Sequence, residues 1–281
     1  MSGLMEGKRG LIMGVANDHS IAWGVARTLA EQGATLAFTY QGEALGRRVK
    51  PLAASIGSTL VAPCEVEDPH SVDAVFATIK EQWGTLDFLV HAIAFSDRNE
   101  LKGLYADTTR ENFLRTMLIS CFSFTETAKR AAALMPNGGS LVTLTFGGSN
   151  RVMPNYNVMG VAKAALEASV RYLAADFGPR NVRVNAISAG PVRTLAGAGI
   201  ADARLMYNYQ KRNAPLRRTP TIDEIGGSAL YLLSDLSSAV TGEIHFVDSG
   251  YNIVSMPHPA ALKTVDDAQT AAEEQSTEAA Q

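Results

Sequence analysis

The stretch RGLIMGVANDHSIAWGVARTLAEQGATLAFTY, residues 9–40, carries the pattern on which the fold prediction depends. Its two ends, residues 9–14 and 34–40, are short runs that are apolar on both alternating faces, which is typical of strands covered on both sides. Residues 20–32 between them have the length of a helix. A strand, a helix and a second strand in this order predict two parallel strands joined by a right-handed crossover.

The same alternation continues along the chain. Five more apolar runs predict strands at 58–64, 86–94, 139–146, 182–188 and 242–248, and helix-length stretches lie at 42–56, 69–83, 108–134, 155–177 and 222–234. We therefore predict an α/β fold, a single Rossmann-type, doubly wound domain with a seven-stranded parallel sheet flanked by helices.

Two segments interrupt this alternation. Residues 190–221 are long for a connection between a strand and a helix, which predicts either a lid over a functional site or additional helical pieces. Residues 257–281 are rich in Ala, Gln, Thr and acidic residues and contain no aromatic residue. We expect them to form a mobile tail after a domain of residues 1–256.

Composition narrows the classes of function. The chain has 281 residues, a formal net charge of −3 and 46% hydrophobic residues, so nothing in its overall charge favours nucleic acid. No apolar run is long enough to span a membrane, and no secretory signal is visible, so we expect a cytoplasmic protein. The two cysteines do not form a spaced set, so the sequence supports neither a metal site nor a disulfide framework.

The turn after the first predicted strand is a candidate nucleotide site. Gly14 ends the strand, and small residues from there to Gly24 would let the backbone approach a pyrophosphate at the helix N-terminus. Ser20 would either cap that helix or donate to phosphate. The spacing is not G-x-G-x-x-G, so a capped helix with a packing glycine is the better explanation of this turn when it is taken alone.

The residues after the second and third predicted strands bear on the choice of cofactor. Gln41 follows the second strand, and no Arg or Lys occurs before Arg47, which favours NAD(H) over NADP(H) because a base there would bind a 2′-phosphate. Glu65, after the third strand, would bracket the adenine, although a surface turn is the simpler interpretation.

Tyr156 and Lys163 are candidate catalytic residues. Seven helical residues turn by about 700°, close to two full turns, so both side chains would share one helix face near the carboxyl ends of the strands. A tyrosine hydroxyl can donate to an oxygen that gains charge during hydride transfer, and a nearby ammonium would bind ribose hydroxyls. The alternative is two side chains that merely border the same surface stripe.

At these residues the chain resembles the short-chain dehydrogenase/reductase superfamily and, within it, the NADH-dependent bacterial enoyl-[acyl-carrier-protein] reductases. The matching stretches run from about Gly7 to Met256 and include GVANDHSIAWG, AFTYQ, NYNVMGVAKAALEASVRYLA, VRVNAISAGPVRTLA and SGYNI. Most members of the superfamily place the lysine four residues after the tyrosine, where this chain has Gly160. Enoyl reductases place it seven residues after.

The resemblance implies reduction of trans-2-enoyl thioesters with NADH in fatty acid biosynthesis, with Tyr156 as hydrogen-bond donor and Lys163 on the nicotinamide ribose. It also implies a mobile lid at about 194–210, docking of acyl carrier protein near Arg204, and a homotetramer. The implied cofactor contacts are Gly14, Ser20, Ile21, Gln41, Glu65, Val66, Ile93, Lys163, Val192, Arg193, Thr194, Leu195 and Ala196. The implied substrate contacts are Ser96, Phe146, Tyr156, Met159, Ala196, Ile200 and Met206, with Tyr207 beside them.

Phe146 departs from the family pattern, which commonly has a second tyrosine ten residues before the main one. We expect altered substrate preference or inhibitor binding rather than inactivity.

Two other functions compete with the enoyl reductase. A carbonyl or alcohol dehydrogenase would need Tyr-x-x-x-Lys and a serine where Thr143 stands, and a non-catalytic nucleotide sensor would tolerate loss of Tyr156 or Lys163.

Overall fold

The structure is a computed structural model that describes residues 3–194 and 203–258. Its centre is one parallel sheet whose strands are β1 (Arg9–Met13), β2 (Thr35–Tyr40), β3 (Leu60–Pro63), β4 (Phe88–His91), β5 (Gly139–Thr145), β6 (Val182–Ala189) and β7 (Ile244–Val247). The spatial order is β3-β2-β1-β4-β5-β6-β7. The predicted α/β fold with seven parallel strands is confirmed.

The helices are α1 (Ile21–Glu31), α2 (Gly42–Ser55), α3 (Pro69–Trp83), α4 (Arg110–Met117), α5 (Ser123–Ala133), α6 (Asn157–Phe177), α7 (Ala203–Asn213) and α8 (Ile222–Leu233). The single helix predicted at 108–134 is α4 and α5 joined by a π-helical turn, Leu118–Phe122. Within the long connection at 190–221, α7 is an additional helical piece, as one of the two predictions had it.

Two apolar layers cover the two faces of the sheet. Trp23 of α1, Val49 of α2 and Ile225 of α8 are buried in one layer. Helices α3, α5 and α6 contribute to the other layer. Because both faces are covered, the strands are apolar on both sides, which is the pattern that made them visible in the sequence.

The strand order places a crevice beside β1. The chain builds outward from β1 to β2 and β3 on one side and to β4 on the other, so the order reverses between β1 and β4. In open α/β sheets, ligands bind outside the carboxyl ends of the strands at such a switch point. The ends of β1 and β4 therefore flank the expected site.

Some predictions concern residues outside the described ranges. Leu195, Ala196, Ile200 and most of the predicted tail lie there, as does the middle of the predicted lid. The domain boundary at residue 256 stays a prediction. Among residues 3–194 and 203–258, no helix has both the length and the apolar character needed to cross a membrane.

Candidate active site

Gly14 shapes the turn between β1 and α1. Its φ of +99° lies in the left-handed region, and a Cβ there would stand 2.1 Å from the carbonyl oxygen of Ala92, beyond the end of β4. Only glycine fits such a close approach of two backbones. Gly14 thus ends β1 where the sheet has its switch point, and its approach to a pyrophosphate stays a prediction.

Ser20 occupies the N-cap position of α1 but makes no side-chain cap bond. Its hydroxyl oxygen instead accepts from the backbone N–H groups of Ala16 and Asn17, at 3.0 and 3.1 Å, and so closes the turn before the helix. Ser20 is therefore the N-cap residue by position, but its side chain does not cap the helix, and donation to phosphate stays a prediction. The first turn of α1, from Ile21, has no acidic side chain to compete for the helix N-terminus, which favours an anion there.

Gly24 packs against α8 and does not form part of the turn. A Cβ on Gly24 would lie 2.7 Å from the carbonyl oxygen of Ile222, and Gly226 approaches Gly24 from the facing helix. The two glycines let α1 and α8 pack closely. Of the two predictions for Gly24, the packing glycine is confirmed and the approach to pyrophosphate is not supported.

Gln41 and Glu65 meet where β2 and β3 end. The Gln41 side-chain amide donates to a Glu65 carboxylate oxygen at 2.8 Å. Gln41 is exposed and Glu65 is half-buried, so this polar pair stays in contact with water. Val66 is buried beside it, and Ile93, after β4, packs on the same core layer as Val66. The structure thus brings four of the predicted cofactor contacts to the carboxyl side of β2, β3 and β4.

Tyr156 is the N-cap residue of α6, so the helix begins at Asn157, two residues later than the predicted start at 155. Asn155 and Asn157 on either side have positive φ values, which bends the chain sharply at the tyrosine. Tyr156 is only 6% exposed. Burial, with a smaller contribution from the Glu167 carboxylate, raises the pKa of the Tyr156 phenol, so its hydroxyl stays protonated.

An apolar cluster surrounds the Tyr156 ring. Phe146, the residue after β5, contacts it edge-on, with ring centroids 5.2 Å apart and planes at 66°. Edge-to-face contacts of this kind are favourable because the positive edge of one ring meets the negative face of the other. The other members of the cluster are Leu101, Phe113, Met153, Val158 and Met159. The structure therefore groups the predicted substrate contacts Phe146, Tyr156 and Met159.

Lys163 lies two turns into α6 and is only 6% exposed. Its Nζ donates to the carbonyl oxygen of Leu144 in β5 at 2.8 Å. Burial lowers the pKa of Lys163 to about 8, against the effects of Cys121 and Glu167, because desolvation disfavours the ammonium form. A perturbed lysine at the carboxyl end of a central strand is a marker of a functional site.

Ser96 belongs to a buried hydrogen-bond network after β4. Its hydroxyl contacts the Asn112 side chain at 3.2 and 3.3 Å and accepts from Thr116 at 2.9 Å. Ser120, in the π-helical turn, bonds to both the N–H and the carbonyl oxygen of Phe95. These contacts fix the loop that precedes the apolar cluster. A substrate contact by Ser96 stays a prediction.

Thr143 stands where a carbonyl-reducing relative would have its serine, and it is fully buried in the sheet. Its hydroxyl lies 3.1 Å from both Nδ1 and the carbonyl oxygen of His91, while Nε2 of His91 lies 2.9 Å from the Ser123 hydroxyl. The Thr143 hydroxyl is thus engaged inside the sheet. This geometry disfavours the carbonyl or alcohol dehydrogenase interpretation.

The predicted lid is represented by its two ends. Val192 packs on the core layer that contains α1, and Arg193 lies over the Tyr207 ring of α7, 4.9 Å from its centroid. The Thr194 N–H donates to the Val192 carbonyl oxygen at 2.9 Å. Met206 and Tyr207 are half-buried on α7. Met206 is not among the described residues of the cluster around Tyr156, so its substrate contact stays a prediction.

The sequence analysis missed Glu167, a buried acid one turn beyond Lys163. Its carboxylate accepts from the Thr145 hydroxyl at 2.6 Å. The signal was present in KAALE, where an acid follows the lysine by four residues on the same helix face. It was indistinguishable from an ordinary solvated acid until the packing of α6 on β5 was known.

Comparisons with known proteins agree with this geometry. A family model described as "Enoyl-(Acyl carrier protein) reductase" matches residues 14–252. The chain is 75% identical over 266 residues to "Enoyl-[acyl-carrier-protein] reductase [NADH] 2" of Rhizobium meliloti (strain 1021), which covers 95% of this chain and 99% of the relative.

Solved structures give the same result. The crystal structure of FabI from Candidatus Liberibacter asiaticus superposes with a TM-score of 0.90 at 63% identity, over 92% of this chain and 100% of the other. The reductase of Anaplasma phagocytophilum, solved in complex with NAD, gives a TM-score of 0.89 at 57% identity, over 92% and 98%. This chain belongs to the enoyl-(acyl carrier protein) reductase family.

Proposed function

We propose that this protein reduces the trans-2 double bond of enoyl-[acyl-carrier-protein] thioesters with NADH, in fatty acid biosynthesis. The observation that carries the proposal is the pairing of Tyr156, buried at the start of α6, with Lys163, buried two turns later on the same helix. Relatives that are 75% and 62% identical are named as enoyl-[acyl-carrier-protein] reductases that use NADH.

The described residues fit a dinucleotide. Gly14 lets the turn after β1 lie close to the backbone at the end of β4, and the first turn of α1 carries no acid that would repel a pyrophosphate. Gln41 and Glu65 offer an amide and a carboxylate, which suit ribose hydroxyls and lack the base that a 2′-phosphate requires. When bound, NADH supplies the hydride that reduces the double bond. Lys163 would hold the nicotinamide ribose.

Tyr156 performs the polar part of the reaction in this proposal. When hydride reaches the β-carbon, negative charge develops on the thioester carbonyl oxygen, and the α-carbon then takes a proton from solvent to complete the reduction. A protonated phenol in an apolar cluster stabilises that charge by donating a hydrogen bond that water does not weaken. The raised pKa of Tyr156 suits this donor role, because the hydroxyl keeps its proton at neutral pH.

The acyl group would lie against the apolar cluster of Phe146, Tyr156 and Met159. The predicted contacts Ser96, Ala196, Ile200 and Met206 would complete the pocket. The carrier protein, which is acidic, would dock near the start of α7, where Arg204 is exposed. Arg218 is a weaker candidate, because both of its terminal nitrogens donate to Glu224, at 2.6 and 2.7 Å.

We also propose a cytoplasmic homotetramer. Helices α4 and α6 pack on each other and expose Leu114 and Tyr172, while the edge strand β7 exposes Phe246. Exposed large apolar side chains on two faces support two kinds of interface between copies, as a tetramer needs. Both cysteines are buried and reduced, which agrees with a cytoplasmic protein. Light scattering coupled to size-exclusion chromatography measures the number of subunits.

The test of the activity is the loss of NADH absorbance with crotonyl thioester, compared with a ketoacyl thioester of equal chain length. We expect turnover of the enoyl substrate alone, and faster turnover with NADH than with NADPH. Activity on the ketoacyl thioester alone would favour the carbonyl reductase. NADH binding without turnover of either thioester, at high enzyme concentration, would favour the nucleotide sensor.

A further inference from the structure

Glu167 is a buried carboxylate on the same face of α6 as Lys163. It is 9% exposed, and residues four apart on a helix are neighbours on its surface. Lys163 and Glu167 are the two charged residues among the nine buried residues of α6. A charge on an otherwise apolar, buried helix face costs free energy, so its presence there requires a reason.

Two successive residues of β5 hold these two turns of α6. Leu144 accepts from the Lys163 Nζ at 2.8 Å, and the Thr145 hydroxyl donates to the Glu167 carboxylate at 2.6 Å. Thr145 is itself 4% exposed and is followed directly by Phe146. The carboxyl end of β5 therefore holds the side chains of both Lys163 and Glu167 against the sheet.

Thr145 is neutral, so its hydrogen bond alone does not balance the charge of Glu167. Within residues 3–194 and 203–258, no cationic side chain forms an ion pair with Glu167. Lys163, one turn earlier, is the buried cation on the same helix face. Each charge lowers the cost of burying the other, because their attraction is weakly screened away from water.

The other titratable groups near Lys163 are neutral at neutral pH. Burial raises the pKa values of the Cys121 thiol, in the π-helical turn, and of Tyr156. His91 on β4 is kept neutral because burial, with the Lys163 charge, lowers its pKa to about 3. Glu167 is thus the anion in this set.

We propose that Glu167 is a positioning residue that keeps Lys163 in its ammonium form and holds that ammonium at the carboxyl end of β5. The inference rests on the proposed function insofar as Lys163 binds the ribose of NADH. It predicts that the affinity for NADH depends on the charge of a residue that does not touch the cofactor.

The test is the pH dependence of NADH affinity, measured by fluorescence titration without any thioester. Glu167→Gln keeps the size of the side chain and an oxygen that accepts from Thr145. We expect the pH at which affinity falls to move to a lower value, since a nearby opposite charge favours the ammonium form of Lys163. Glu167→Asp, which keeps the charge, should retain a midpoint near that of the wild type.

Two further variants separate charge from structure. Lys163→Arg combined with Glu167→Gln should remove the pH dependence, because a guanidinium stays protonated. Glu126→Gln on α5 is the matched control, since that half-buried acid pairs with Arg130. If Glu167→Gln does not fold, Thr145→Val should shift the midpoint in the same direction by a smaller amount.

An unchanged midpoint in folded Glu167→Gln, or in Thr145→Val where the former does not fold, would overturn the proposal. Failure of the proposed function gives a different result. In that case the midpoint for NADH binding still moves with Glu167→Gln, while no variant and not even the wild type reduces crotonyl thioester.

Discussion

The two ends of the proposed cofactor site are built differently. At the adenine end, the exposed Gln41 and the half-buried Glu65 meet beyond the ends of β2 and β3. At the nicotinamide end, Tyr156, Lys163 and Glu167 are each at least nine-tenths buried. Water screens polar interactions at the first end and barely weakens them at the second.

This difference separates two tasks. A substitution at the exposed end changes which cofactor is preferred, at little cost to the fold. A substitution at the buried end changes the chemistry and also the free energy of unfolding, because a buried charge is expensive in every state of the enzyme. The predictions below test that separation, beginning with the buried end.

The largest effect is expected for Tyr156→Phe. Loss of the hydroxyl removes the donor to the developing oxyanion, so kcat on crotonyl thioester should fall about 10²–10⁴-fold. The ring remains in the apolar cluster with Phe146, so the fold and the Kd for NADH should stay close to those of the wild type. Steady-state kinetics and NADH titration measure both. A loss of less than about tenfold would remove Tyr156 from the mechanism.

Lys163 should give two opposite responses to pH. The affinity for NADH falls as pH rises through about 8, where the folded protein loses the ammonium. The stability of the protein without cofactor changes in the other direction. The unfolded chain keeps this proton until about pH 10.4, so between the two values it binds more protons than the folded chain. In that window a rise in pH favours folding.

The comparison with Lys163→Arg isolates this contribution, because arginine keeps its charge throughout the range. We measure the free energy of unfolding of both proteins with urea, without NADH. Above pH 8 the value for the wild type should rise relative to that of the variant, by at most about 1.4 kcal/mol for each pH unit. Parallel curves for the two proteins would mean that the buried lysine does not titrate in this window.

The sequence predicted the sheet well because both of its faces are covered. Seven apolar runs became seven strands, with ends shortened by a few residues, as for 86–94 against β4 at Phe88–His91. It also predicted that Gly14, Gln41 and Tyr156 lie beyond the carboxyl ends of strands, because such turns occupy fixed places in a doubly wound fold, while their roles stay predictions.

What the sequence did not predict depends on contacts between distant residues. The π-helical turn at Leu118–Phe122 is too short to be recognised from the pattern of apolar residues. Ser120 lies within it and accepts from the Phe95 N–H. The acid of Glu167 looks like a surface residue until α6 is packed on Thr145. The assignments of Leu195, Ala196 and Ile200 stay predictions.

An intermediate effect is expected at the exposed adenine end. Gln41→Arg combined with Glu65→Gln supplies a base for a 2′-phosphate and removes the acid that would otherwise pair with it. We expect the ratio of kcat/KM for NADPH to that for NADH to rise about 5–10-fold, which is below the usual effect of a charge-assisted hydrogen bond because the site is exposed. Glu43→Gln, at the exposed start of α2, is the control for a simple change of charge.

A large change in stability of this double variant would contradict the view that the exposed end does not support the fold. The free energy of unfolding of Gln41→Arg with Glu65→Gln, measured with urea, should stay within about 0.5 kcal/mol of that of the wild type, as is usual for surface substitutions. A larger loss would show that the polar pair at the ends of β2 and β3 supports the fold as well as the cofactor.

The smallest effect is expected for Phe146→Tyr, which tests the acyl side of the buried end separately from the charge of Lys163. Phe146 lies edge-on to Tyr156 and is half-buried, so a tyrosine ring fits the same position. Its added hydroxyl introduces one hydrogen bond, worth about 0.5–1.5 kcal/mol, or roughly 2–10-fold in kcat/KM. Because the hydroxyl borders the acyl site and not the charge of Lys163, we expect it to alter the ratio of short to long enoyl thioesters. Phe177→Tyr, at the far end of α6, adds the same hydroxyl away from the site and should change neither value. If Phe146→Tyr also changed neither value, the aromatic ring at 146 would act only in packing, and substrate preference would have to be set by Met159 and the lid.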